Sequence, residues 1–167
     1  MKAEEIKTIV VIGAGAMGQQ IAMNTVMNGR KHSYQVILCD SFEGAIGKAE
    51  KWASDYLSGR VAKGRLTQEE ADKIADCLTI TKDVDTAVSE ADFIIEAIIE
   101  NLEIKRELFR KISRICRPDA VLGTNSSNIV SSRLADVTVN PERLLNIHYF
   151  NPALVMQLVE LVKGGHT

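Results

Sequence analysis

A chain of 167 residues with 46% hydrophobic and 25% charged residues fits a single soluble domain with a substantial core. Lys and Arg number 20 and Asp and Glu 22, so the formal charge is −2 and nothing points to nucleic acid or an anionic membrane as partner. No apolar run reaches the about 20 residues of a membrane span. The N-terminus also lacks the basic start and small-residue cleavage site of a signal peptide. Three scattered cysteines, Cys39, Cys77 and Cys116, fit reduced thiols in a cytoplasmic protein and offer no metal-ligand spacing.

Taken in chain order, residues 6–12 ("IKTIVVI") form a predicted buried strand and residues 17–28 a helix. Between them lies "GAGAMG", a GxGxxG pattern of Gly13, Gly15 and Gly18 that also holds Ala16 and Met17. In a strand-to-helix turn, Gly13 permits the sharp bend, Gly15 lets a pyrophosphate approach the backbone, and Gly18 lets the helix pack close to the strand. The helix N-terminus adds free N–H groups and partial positive charge. The polar stretch "NGRKHSY" forms a loop before a second strand at residues 35–40, which ends at Asp40, 22 residues after Gly18. A carboxylate there can accept hydrogen bonds from the adenosine ribose, or cap the next helix. It repels a 2′-phosphate, and the following "SFEG" supplies no arginine, so the pattern favours NAD over NADP.

Residues 41–61 carry helical spacing, and a second helix starts at Thr67, where "TQEE" offers a capping box with Glu70. Strands are expected at residues 78–81, 93–99, 120–124, 144–150 and 156–162, with a helix at 102–116 that Pro118 helps to end. Strands separated by helices imply right-handed crossovers and an α/β fold of the doubly wound, mostly parallel kind. Glu96 sits near the end of the strand over 93–99, with Glu100 just past it and Lys105 on the first turns of the next helix. Such charges face a ligand crevice at the carboxyl ends of parallel strands, or solvent at the start of a helix. "TNSSNI" is a turn with a helix cap when read alone. In "NIHYFNP…LVELV", His148 and Glu160 lie on successive predicted strands, 12 residues apart. A carboxylate behind an imidazole fixes its tautomer and raises its basicity, as a general base near neutral pH requires.

Together these motifs resemble the NAD-binding domain of the L-3-hydroxyacyl-CoA dehydrogenase family. "GAGAMG", Asp40, "EAIIENLEIKRELF", "TNSSNI", "HYFNP" and "LVELV" occur in the family's order over almost the whole chain. The resemblance implies a Rossmann-type sheet with a protruding helical hairpin at residues 41–76 that contacts coenzyme A. It implies NAD as cofactor, with Gly13, Gly15, Ala16, Met17, Gly18, Asp40, Glu100, Lys105, Ser127 and Asn151 as contacts. His148 is implied as the catalytic base and Glu160 as its orienting partner, with Ser127 and Asn151 holding the substrate oxygen and the nicotinamide region. Lys63 is a candidate contact for a coenzyme A phosphate. The expected reaction interconverts L-3-hydroxyacyl-CoA and 3-ketoacyl-CoA in an enzyme that is a homo-oligomer when intact, with no metal. In the family an all-helical domain follows at "LVKGGHT", so residues 1–167 correspond to the cofactor domain alone and an apolar surface is expected where the second domain packs. The alternatives are an NAD-binding fragment without turnover and a related dehydrogenase acting on a free hydroxy acid.

Overall fold

The computed structural model describes residues 3–29 and 34–167, so residues 30–33 of the expected "NGRKHSY" loop lie outside the described residues. Among the described residues seven strands form one sheet, in the order β3-β2-β1-β4-β5-β6-β7. They are β1 (Thr8–Ile12), β2 (Gln35–Cys39), β3 (Leu78–Thr81), β4 (Phe93–Glu96), β5 (Val121–Thr124), β6 (Leu144–Tyr149) and β7 (Val159–Val162). The first six are parallel, and β7 runs antiparallel to β6. This is the doubly wound Rossmann order, whose ligand crevice opens where the order reverses, between β1 and β4.

Side chains alternate between the two faces of the sheet because the strand period is two. On one face Val11, Val36, Leu38 and Ile95 pack under α1 (Ala16–Asn28), α2 (Glu43–Ala62) and α3 (Gln68–Asp76). On the other, Val10, Ile12, Ile94 and Leu122 pack with α4 (Val84–Ser89) and α5 (Leu102–Ile115). Each central strand is buried on both sides, which accounts for its continuous apolar run. The capping box at the start of α3 is present: Thr67 Oγ1 accepts from Glu70 N at 3.1 Å and Glu70 Oε2 accepts from Thr67 N at 2.9 Å. The hairpin of α2 and α3 follows β2 as expected.

Several boundaries differ from expectation for local reasons. β4 stops at Glu96 instead of continuing to Ile99, because Ile98 N turns back to donate to Glu96 Oε1 at 2.8 Å. β7 begins at Val159 because Val155 N and Met156 N both fold onto the Pro152 carbonyl. The six-residue α4 is an element the apolar pattern did not reveal; Asp83 caps it by accepting from Thr86 N at 3.0 Å. Among the described residues no helix is long and apolar enough to cross a membrane.

Candidate active site and cofactor cleft

The crevice over the carboxyl ends of the strands has two connected parts. The first, a cleft of about 910 Å³, is lined by Gly13, Gly15, Ala16, Met17 and Asp40 among others. Gly13 has φ +110°, and a Cβ there would sit 2.6 Å from the Ala97 carbonyl oxygen. A Cβ on Gly18 would fall 1.7 Å from the Gly13 oxygen, so the first turn of α1 closes directly onto β1. Gly15 is different: nothing lies within 4 Å of a Cβ built there. Its space is open to the cleft, as a backbone that takes a pyrophosphate needs. Asp40 lies one residue past β2. Its carboxylate accepts from Ala14 N and from Phe42 N, each at 2.9 Å, and makes no side-chain cap for α2, whose N-cap is Phe42. The group is therefore fixed at the cleft wall with lone pairs to spare.

The second part, about 450 Å³, shares Met17, Ala97 and Ile98 with the first. It brings together Glu100 and Ser127 from the loops after β4 and β5, Lys105 from α5, His148 from β6 and Asn151 just past it. His148 and Glu160 face each other directly in the antiparallel β6–β7 pair. Glu160 Oε2 accepts from His148 Nδ1 at 3.0 Å. This bond assigns the proton to Nδ1 and leaves Nε2 as the basic nitrogen. The ring also lies against Phe150, with centroids 4.7 Å apart. Asn125 Oδ1 accepts from Tyr149 N at 2.8 Å, so the loop after β5 is tied to the strand that carries the histidine.

Lys105 is not the solvent-facing charge of an ordinary helix start. Its side chain is 1% exposed and paired with Glu96, itself 0% exposed. Glu96 also accepts from Thr124 Oγ1 at 2.6 Å and from Ile98 N. Glu100 Oε2 lies 3.3 Å from Lys105 Nζ, and the other Glu100 oxygen accepts from Ser126 Oγ. Burial pushes the Glu100 carboxyl up, but the Ser126 hydrogen bond and the Lys105 charge outweigh it and hold it below its ordinary value. Ser126 Oγ accepts in turn from Ile129 N at 2.7 Å, which shapes the loop presenting Ser127. Sequence reasoning placed Glu96 near the crevice; its burial beneath Lys105 was not visible in a pattern of charges. Cys39 is buried beside the crevice. Desolvation, then the charges of Asp40 and Asp83, push its thiol up to about 12, which disfavours the reactive thiolate.

A third cleft, about 620 Å³, lies between the hairpin and the loop after β6. Trp52, Tyr56, Arg60, Lys63 and Arg65 line it together with Pro152. Trp52 and Tyr56 stack with centroids 5.4 Å apart. Gln20 Oε1 and Arg60 Nε are buried there without hydrogen-bond partners among the described residues.

Residues 8–167 match the family model described as 3-hydroxyacyl-CoA dehydrogenase, NAD binding domain. The chain belongs to the 3-hydroxyacyl-CoA dehydrogenase family. It is 38% identical to a 3-hydroxyadipyl-CoA dehydrogenase of Escherichia coli over 95% of this chain and 32% of that protein. It is 35% identical to a probable 3-hydroxybutyryl-CoA dehydrogenase of Bacillus subtilis over 96% of this chain and 54% of that one. A crystal structure of 3-hydroxybutyryl-CoA dehydrogenase from Escherichia coli superposes with a TM-score of 0.90 at 38% identity, over 98% of this chain and 34% of that one. The chain thus spans from about a third to about half the length of these relatives. As a member of the family's NAD-binding domain, it takes NAD as cofactor, and the open face of Gly15 and the fixed Asp40 carboxylate suit it.

The glycines make distinct predictions. Gly15→Ala is expected to keep its thermal midpoint while NADH affinity falls about tenfold, because the methyl occupies the phosphate approach. Gly18→Ala is expected to cost roughly 1–3 kcal/mol of stability, because its methyl collides with backbone. Thermal unfolding and NADH fluorescence titration of the two variants check both; equal behaviour would contradict the division of roles.

Proposed function

We propose that this domain binds NAD along the joined clefts and carries the general base for interconversion of L-3-hydroxyacyl-CoA and 3-ketoacyl-CoA. The observation that carries this reading is the His148–Glu160 pair, held at 3.0 Å beside a cleft continuous with the glycine turn. NAD, when bound, supplies the hydride acceptor. His148 Nε2 takes the proton from the substrate hydroxyl, and Glu160 stabilises the imidazolium that results. In the reverse direction the same nitrogen donates. Ser127 and Asn151, both exposed in the second cleft, hold the substrate oxygen as its charge develops and border the nicotinamide. Asp40 takes the ribose, and the glycine turn with Ala16 and Met17 takes the pyrophosphate. Glu100, anchored by Lys105, contacts the cofactor in the second cleft.

The third cleft favours a coenzyme A thioester over a free hydroxy acid. Arg60, Lys63 and Arg65 supply positive charge for phosphates, and the stacked Trp52 and Tyr56 supply apolar area. Pro152 in this cleft directly follows Asn151 in the second, so a long substrate can run from the hairpin to the base. Trp52 is the single tryptophan, which makes it a reporter. Acetoacetyl-CoA is expected to quench its fluorescence saturably, and Lys63→Ala with Arg65→Ala to weaken binding about tenfold through lost phosphate contacts. Acetoacetate is expected to leave the signal unchanged. Quenching by acetoacetate alone would favour a free-acid substrate.

Residues 1–167 act in this reading as the cofactor domain of a larger assembly. Val155, Leu158, Leu161 and Val162 are 70%, 57%, 67% and 49% exposed around the edge strand β7. Large apolar side chains clustered at a sheet edge mark a contact surface. This supports a second domain, or another subunit of a homo-oligomer, packing there.

A further inference from the structure

β2 and β3 lie side by side, with Cys39 opposite Thr81, so Lys82 emerges next to Asp40 at the carboxyl end of the neighbouring strand. Both residues line the first cleft. Lys82 is separated from Asp40 by 42 positions in sequence, and nothing local to Asp40 announces a cation. A positive charge beside the ribose-binding acid is the feature by which folds of this class accept a 2′-phosphate. Here that charge is engaged: Lys82 Nζ donates to Glu43 Oε2 at 2.9 Å, from the first turn of α2. Glu43 does not itself line the cleft. Its hydrogen bond, then its charge, hold the Lys82 ammonium pKa above its ordinary value.

We propose that Glu43 is a specificity-determining residue, which holds and neutralises Lys82 so that the cleft beside Asp40 stays closed to the 2′-phosphate of NADP. This rests on the reading of the first cleft as the adenosine end of an NAD site. Two carboxylates then act against the phosphate in different ways. Asp40 repels it directly and binds the ribose hydroxyls. Glu43 acts through Lys82, removing the one attraction that Asp40's neighbour strand brings to the spot. The uncharged 2′-hydroxyl of NAD gains nothing from a free Lys82, so the effect is confined to NADP.

The test is titration of NADH and NADPH fluorescence on the whole chain and on Glu43→Gln. Each is repeated in an Asp40→Asn background, where the direct repulsion is removed and NADPH affinity rises into a measurable range. Glu43→Gln is expected to tighten NADPH about three- to fivefold, the scale of an exposed ion pair, with NADH affinity unchanged. The gain should disappear in Glu43→Gln with Lys82→Ala, and should shrink as salt is raised, because both groups are exposed. An unchanged NADPH to NADH ratio in both backgrounds would overturn the proposal. So would a gain that survives loss of Lys82. A wild-type chain that binds neither dinucleotide would overturn the NAD reading itself, and this proposal with it.

Discussion

Replacing His148 by Gln is expected to lower the rate of NADH-dependent reduction of acetoacetyl-CoA by about 10²–10⁴-fold, the usual contribution of a positioned general acid–base. Gln keeps a hydrogen-bonding side chain on β6 but cannot exchange a proton near neutral pH. NADH affinity should stay within about twofold, because the glycine turn and Asp40, to which the phosphates and ribose are assigned here, line the other part of the crevice. Glu160→Gln should lose less. It removes the charge that stabilises the imidazolium but leaves a group 3.0 Å from Nδ1 that can still fix the ring. Parallel titrations and steady-state rates separate these effects. A loss of NADH binding as large as the loss of rate would instead make His148 a structural residue.

The second large effect concerns stability. Lys105→Met should lower the unfolding free energy by about 3–5 kcal/mol, because it strands the fully buried Glu96 without its charge partner. A domain of this size is stable by only about 5–15 kcal/mol, so much of its margin would go. Thr124 Oγ1 and Ile98 N would still bond Glu96, but neither neutralises it. The double substitution Glu96→Gln with Lys105→Met should recover a good part of the loss, since no isolated charge remains buried. Urea unfolding midpoints of the two variants decide it. A shift below about 1 kcal/mol for Lys105→Met would mean that water reaches the pair. NADH affinity should fall as well in Lys105→Met, because Glu100 loses its anchor in the second cleft.

The parts of this site that could be read from sequence are those whose geometry is set locally. The glycine turn is one: strand, bend and helix are consecutive, and the collision at Gly18 follows from that sequence of elements alone. Asp40 is another, placed at the crevice by the end of β2. The facing of His148 and Glu160 was legible because two successive strands that return on each other can set both on one face; the observed pair is directly opposite, although the link between the strands is longer than expected. What escaped sequence reading is set by distant strands. Lys82 stands on the same cleft wall as Asp40 only because β3 pairs with β2. The burial of Lys105 depends on β4 and β5 both delivering polar groups, Glu96 and Thr124, to one point beneath α5. Charges in sequence read as solvated, and only packing reveals the exceptions. The third cleft similarly joins α2 to the loop after β6, a contact between segments about 90 positions apart, which no local pattern encodes.

In the proposed function one crevice serves both the dinucleotide and a coenzyme A thioester, with His148 at the meeting point. Its most direct test is oxidation of NADH by this chain with acetoacetyl-CoA and, separately, with acetoacetate, followed by absorbance with product identification. NADH consumption is expected with the thioester, with formation of 3-hydroxybutyryl-CoA, and no comparable rate with the free acid or in His148→Gln. No oxidation with either substrate, although NADH and acetoacetyl-CoA both bind, would contradict turnover by these residues alone and leave a cofactor-binding module. Equal rates with thioester and free acid would contradict the role given to the hairpin cleft.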